Sequence, residues 1–113
     1  LLTPESIVRL LQFMDQHPQG QNFLESLAVA GKDGTLRQRM KNSSATGRVF
    51  AKTGSLRFVS SLCGYVQPVN NNDKKIAFAI MVSNYGIPKG EVHQAIDSIC
   101  ALMADFHISQ TSF

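Results

Sequence analysis

The stretch Gly47-Arg48-Val49-Phe50-Ala51-Lys52-Thr53-Gly54-Ser55-Leu56, followed by Val59-Ser60-Ser61-Leu62-Cys63-Gly64-Tyr65-Val66-Gln67, decides the fold. Here apolar residues recur with period two, and β-branched and aromatic residues are dense, so strands are predicted over Arg48–Thr53 and Val59–Gln67. A third follows at Lys75–Ser83, after Pro68 and the turn-forming run Asn70-Asn71-Asn72-Asp73. Three strands in an antiparallel meander are expected. The run Ile76-Ala77-Phe78-Ala79-Ile80-Met81-Val82 is apolar at every position, which suits a strand covered on both faces in the middle of a sheet.

Outward from the strands the period becomes helical. Thr3-Pro4-Glu5 supplies an N-cap hydroxyl, a proline at the first turn and an acid at the positive helix end. Ile7, Leu10, Leu11 and Met14 follow at helical spacing until His17-Pro18, so a helix is predicted over Pro4–Gln16. Phe23, Leu24 and Leu27 suggest one or two further turns. Ala30-Gly31-Lys32-Asp33-Gly34-Thr35-Leu36 reads as a tight loop, with a short helical piece from Leu36 to Met40 after it. Gly86, Pro88 and Gly90 break the chain, and Val92, Ala95, Ile96, Ile99, Cys100, Met103 and Phe106 form one stripe of a closing helix. The tail from Ser109 is expected to fray. The order helix, loop, three strands, helix gives an α+β fold, an antiparallel sheet flanked by helices, rather than a doubly wound nucleotide fold.

Composition sets outer bounds. The 113 residues are 43% hydrophobic and 17% charged, enough apolar material for one core. Eleven Lys and Arg against eight Asp and Glu are too scattered to demand nucleic acid. No apolar run approaches the ~20 residues of a membrane span, and the first residues lack the layout of a signal peptide. A chain opening Leu1-Leu2-Thr3-Pro4 is expected to be a piece of something longer, with any targeting segment upstream. Two cysteines exclude a disulfide-dense scaffold and a four-thiolate zinc site; Cys63 and Cys100 are expected as buried free thiols. His17, His93 and His107 are too dispersed for a metal site, and His93 with Asp97 reads as a helix surface pair. Arg37, Arg39, Lys41 and Arg48 read as a solvated loop face, with an anionic polymer as the weaker alternative.

The chemistry-bearing stretch is Ala51-Lys52-Thr53-Gly54-Ser55. A phosphate loop would need glycines at positions 46 and 51, where Thr46 and Ala51 stand, and would open a helix rather than end a strand. The alternative is the Lys-Thr-Gly element of serine acyl-transferases. With Gly34-Thr35-Leu36, the run Gly47 to Leu56, and Val59-Ser60-Ser61-Leu62-x-Gly64-Tyr65-Val66 around it, the chain resembles the C-terminal part of the D-alanyl-D-alanine carboxypeptidase/endopeptidase family, the class C or type 4 penicillin-binding proteins.

The resemblance implies that residues 1–113 are the C-terminal segment of a penicillin-binding, β-lactamase/transpeptidase-like catalytic domain. It implies a serine-type carboxypeptidase, with endopeptidase action on cross-links left open, working without a cofactor outside the cytoplasm, in a periplasm or its equivalent. Its partners would be peptidoglycan stem peptides, β-lactams and the remainder of the domain. Lys52 would be the cation for the substrate carboxylate, Thr53 and Ser55 would offer hydroxyls, Gly54 would let the substrate backbone approach, and the Ser55 N–H would be half of the oxyanion hole. Neither Ser-x-x-Lys nor Ser-x-Asn occurs in the sequence, so the chain would supply the third motif only. A non-catalytic module binding cell-wall peptide or a protein partner is the runner-up, and a related enzyme acting on β-lactams or esters a third reading. Phe58, where the family often carries a small residue, would narrow the cleft rim, and Ala28 replaces a frequent proline. The strand Ile76 to Val82 would pair, in the resembled fold, with a strand from the start of the domain.

Overall fold

The computed structural model describes residues 3–70, 74–83 and 86–106. The turn residues 71–73, His107 and the tail from Ser109 lie outside them. Helix α1 spans Pro4–Gln16, as predicted. The Thr3 hydroxyl accepts from the Ser6 N–H at 3.1 Å, and the Thr3 N–H donates to Ser6 Oγ at 3.0 Å, a reciprocal cap that fixes the start. Then come α2 (Gly20–Glu25), β1 (Ala28–Val29), a 3-10 turn at Gly34–Leu36, β2 (Val49–Leu56), β3 (Val59–Val66), β4 (Ile76–Ser83) and α3 (Lys89–Ala104).

The sheet is antiparallel throughout, in the order β1-β2-β3-β4. It has four strands rather than three, because Ala28 and Val29 pair with Ala51 and Phe50. The strand β2 extends past Thr53 to Leu56, and only Arg57 and Phe58 connect it to β3, with Phe58 left-handed at φ 61°. At Gly64, an added Cβ would come within 2.0 Å of the Phe50 carbonyl oxygen, so the glycine sets how closely β3 lies on β2.

One sheet face carries Val49, Ala51, Leu62, Val66 and Phe78, which pack on Val92, Ile96, Cys100 and Ala104 of α3. Those four helix residues, at intervals of four, form the true buried stripe; Ile99 and Phe106 of the predicted stripe are exposed. The opposite face receives α1, where the buried Tyr65 hydroxyl donates to the Leu11 carbonyl at 2.6 Å and Lys75 reaches Asp15 at 3.2 Å.

The all-apolar strand is not in the middle. It is the outermost strand among the described residues, apolar on both sides because α3 and the core meet one face while α1 meets the other. Covered faces do not imply covered edges.

The helical piece expected from Leu36 to Met40 is replaced by turns. Ser43 and Thr46 hydroxyls both donate to the Met40 carbonyl, at 2.9 and 2.6 Å, and Met40 and Asn42 turn left-handed, so side-chain hydrogen bonds displace the helical ones. That loop is not simply solvated: Arg39 pairs with Asp97 at 2.7 Å, so Asp97 has an ion partner remote in sequence besides its electrostatic action on the predicted neighbour His93.

Candidate active site

Backbone direction along β2 follows from two hydrogen bonds. The Val49 carbonyl accepts from the Ala30 N–H at 2.9 Å, on the β1 side, whereas the Arg48 carbonyl accepts from the Gln67 N–H at 2.8 Å, on the β3 side. Because successive residues of a strand alternate, odd-numbered residues of β2 face β1 with both backbone groups. Strand β1 meets β2 only at Phe50 and Ala51. Beyond it, Thr53 and Ser55 therefore present N–H and C=O along an edge that no strand covers among the described residues.

Side chains alternate in the same way. Lys52 and Gly54 lie on the face of α1 and α2, and Thr53 and Ser55 on the face of α3. The four residues do not make a one-sided cluster: Gly54 and Ser55 line a separate hollow with Ser61 and Met81, and only the Lys52 side chain reaches the edge that Thr53 presents. The Lys52 chain folds round to it, its Nζ donating to the outward-facing Thr53 carbonyl at 2.9 Å. Gly54 also has a local reason to lack a side chain, since a Cβ there would lie 2.4 Å from Ser61 Oγ on the partner strand.

A residue not singled out for chemistry joins them. The Thr53 and Thr35 hydroxyls share a hydrogen bond, Oγ1 to Oγ1 at 3.1 Å, across 18 positions. Thr35 stands in the 3-10 turn, which is held by the Gly31 N–H on the Leu36 carbonyl at 2.9 Å, by the Val29 N–H on Asp33 Oδ1 at 2.8 Å, and by fully buried Leu36. Gly34 is left-handed at φ 58°, and a Cβ there would press on Ala28 at 3.0 Å. The sequence offered only the Gly34-Thr35-Leu36 match as a signal. Thr35, Lys52, Glu25 and Ser26 line a cleft of about 390 Å³.

On the other face of the edge, Lys52 and Cys63, directly opposite each other in the ladder, line an apolar groove of about 470 Å³ with Ile7, Leu10, Leu11 and Leu27. Cys63 is only partly buried there, unlike the core thiol expected; Cys100 is fully buried, and both are free. Burial pushes the Cys63 thiol above its ordinary range, with the Lys52 ammonium pulling against it. Burial, reinforced by Asp97 and opposed by Arg39, pushes Cys100 up to about 12. Neither is an activated nucleophile. Phe58 sits at the β2–β3 turn with the Arg57 guanidinium 5.0 Å from its ring centre. His17 caps α1 and His93 lies on α3, so the structure does not bring the two together.

An open strand edge of this kind is chemically able to take an extended peptide as an added strand, and an ammonium is able to pair with a carboxylate. No helix among the described residues is long and apolar enough to cross a membrane.

Comparison with known proteins agrees with this architecture. The chain is 31% identical over 113 residues to a penicillin-sensitive carboxypeptidase A of Dictyostelium discoideum, covering 96% of this chain and 22% of that protein. It is 34% identical over 111 residues to a D-alanyl-D-alanine carboxypeptidase of Actinomadura sp. (strain R39), covering 94% and 20%. The crystal structure of penicillin binding protein 4 from Haemophilus influenzae superposes with a TM-score of 0.81 at 21% identity, over 93% of this chain and 25% of that one. The chain thus spans about a fifth of the length of these curated relatives. The model of one family matches residues 1–105, and on that match the chain belongs to the D-Ala-D-Ala carboxypeptidase 3 (S13) family.

Proposed function

We propose that this chain forms the substrate-carboxylate and oxyanion side of a serine-type D-Ala-D-Ala carboxypeptidase that works through an acyl-enzyme. The observation that carries the reading is the open edge of β2: the backbone groups of Thr53 and Ser55 run past the end of β1, with the Lys52 ammonium folded onto the same edge. A stem peptide ending in D-alanine adds there as a strand. Lys52 supplies the positive charge for its carboxylate, and Thr53 and Ser55 supply hydroxyls. The outward Ser55 N–H stabilises the oxyanion as the carbonyl is attacked, and Gly54 lets the substrate backbone approach beside it. The nucleophile is a serine outside this sequence, as no Ser-x-x-Lys occurs within it. A β-lactam carries the same carboxylate and enters the same way. A cell-wall substrate, together with the likeness to a penicillin-sensitive carboxypeptidase, supports work outside the cytoplasm.

The test uses the full-length protein that carries this sequence. Lys52→Ala is expected to slow acylation by a labelled penicillin and D-alanine release from a D-Ala-D-Ala peptide by about a hundredfold, the scale of losing one transition-state donor. Acylation within about threefold of the parent would reduce the motif to a turn, since that is under 1 kcal/mol. Absence of any acylation in the parent, with peptide binding retained, would favour a non-catalytic binding module.

A further inference from the structure

We propose that Thr35 is a positioning residue for the Thr53 hydroxyl, turning its proton toward the substrate carboxylate when substrate binds. The inference rests on the reading of residues 52–55 as the carboxylate site.

A hydroxyl carries one proton and two acceptor positions. In the structure the Thr53 and Thr35 hydroxyl oxygens lie 3.1 Å apart, a hydrogen bond in which either threonine can be the donor. To donate to a carboxylate, Thr53 must have its proton free of Thr35 and accept within the pair instead. If its partner could only accept, that demand would leave the Thr53 oxygen facing an idle group. A threonine partner can instead rotate and give its own proton, so that Thr35 O–H donates to Thr53 Oγ1 while Thr53 O–H donates to the carboxylate. Two donors in series polarise each other and strengthen the outer bond. The pair keeps a hydrogen bond in both states, and the reversal moves only protons.

The turn that carries Thr35 is built to hold that oxygen still. Leu36 anchors it in the core, the Leu36 carbonyl and the Asp33 carboxylate tie it to the chain beside β1, and Gly34 allows its close approach to Ala28. Thr35 itself is exposed and lines the cleft with Lys52, so its hydroxyl is free to rotate.

The experiment measures kcat/KM of the full-length protein on two thioesters of one acyl group, whose leaving groups differ only in bearing or lacking a carboxylate. Thr35→Val, which keeps the shape but not the hydroxyl, is expected to lose about tenfold on the carboxylate substrate and less than about twofold on the neutral one. Thr35→Ser restores the hydroxyl and is expected to stay within about twofold on both. In a Thr53→Ala background, Thr35→Val should cost nothing further. Equal loss on both substrates overturns the proposal in favour of a structural role. So does full activity of Thr35→Val where Thr53→Ala is impaired. If Thr53→Ala leaves the carboxylate substrate untouched, the carboxylate reading itself fails and this inference with it. Should Thr35→Val not fold, as judged by its melting transition, Thr35→Ala carries the same comparison.

Discussion

Arg39 holds Asp97 with two nitrogens, Nη2 to Oδ1 at 2.7 Å and Nε to Oδ2 at 3.3 Å, bridging 58 positions of sequence. The two side chains are only 13% and 19% exposed, so this is a largely desolvated pair joining the long loop to α3. Removing one partner leaves the other charged and poorly hydrated. Arg39→Ala is expected to cost about 2 kcal/mol, below the range for fully buried pairs because some water still reaches it. Paired replacement by Met and Leu should recover most of the loss. Thermal unfolding of the single and double variants checks both, and a double variant no better than Arg39→Ala would show that the charge is not the cause.

Two glycines of the sheet should respond differently to alanine. At Gly64 the new Cβ meets backbone, the Phe50 oxygen at 2.0 Å and Ala51 Cα at 2.6 Å, neither of which can move without separating β2 from β3. At Gly54 it meets the Ser61 hydroxyl oxygen, a side-chain end that can rotate, while Ser61 Cβ is 3.8 Å away. Gly64→Ala is expected to cost about 3 kcal/mol or more and Gly54→Ala about 1 kcal/mol, with Ser61→Ala relieving the latter. Denaturant midpoints of the three variants decide it. Equal costs at the two sites would mean that the ladder yields.

The buried Cys100 thiol gives stability a pH dependence at the alkaline end. Its folded value is about 12 against an ordinary 9.0, so above pH 9 the unfolded chain loses a proton that the folded chain keeps. The folded state then binds more protons than the unfolded, and stability falls as pH rises from 9 toward 12. Cys63, also raised by burial, adds in the same direction. Cys100→Ala should flatten the decline of melting temperature between pH 9 and 11, at a modest cost at pH 7 from the lost sulfur. An unchanged slope would assign the decline elsewhere.

What the sequence made legible was local. Helix α1 was readable because its cap, its proline and its stop at His17-Pro18 all lie within the segment itself. The strand β1 was not, since two residues carry no period, yet its start only at Ala28 is what opens the edge at Thr53 and Ser55. Lys52 to Ser55 stood out as a consecutive motif, whereas their division between two faces and the Thr35 contact depend on pairing across the sheet. Asp97 was matched with its helical neighbour His93 because spacing reveals only neighbours, and Arg39 is remote in sequence. The apolar run of β4 reported two covered faces and carried no information about its edge.

That edge leads to the last expectation. Strand β4 presents eight residues, Ile76–Ser83, as the outer rim of the described sheet, and none of them is charged. Natural edges are usually blunted by lysine, proline or a bulge within the strand, because unpaired N–H and C=O groups beside apolar side chains template another strand. Lys74 and Lys75 flank the run, but Lys75 is drawn to Asp15 on α1, away from a guarding position. Met81 is 40% exposed near the far end and offers apolar surface to an incoming chain. The isolated 113-residue chain is therefore expected to self-associate in a concentration-dependent way, read as rising mass in light scattering. Met81→Lys places a charge in the strand and should shift the onset to higher concentration, without the loss of stability that a buried site would suffer. A monomer at every concentration would show that the β4 edge is closed, and the account of this strand as an open rim would have to be given up.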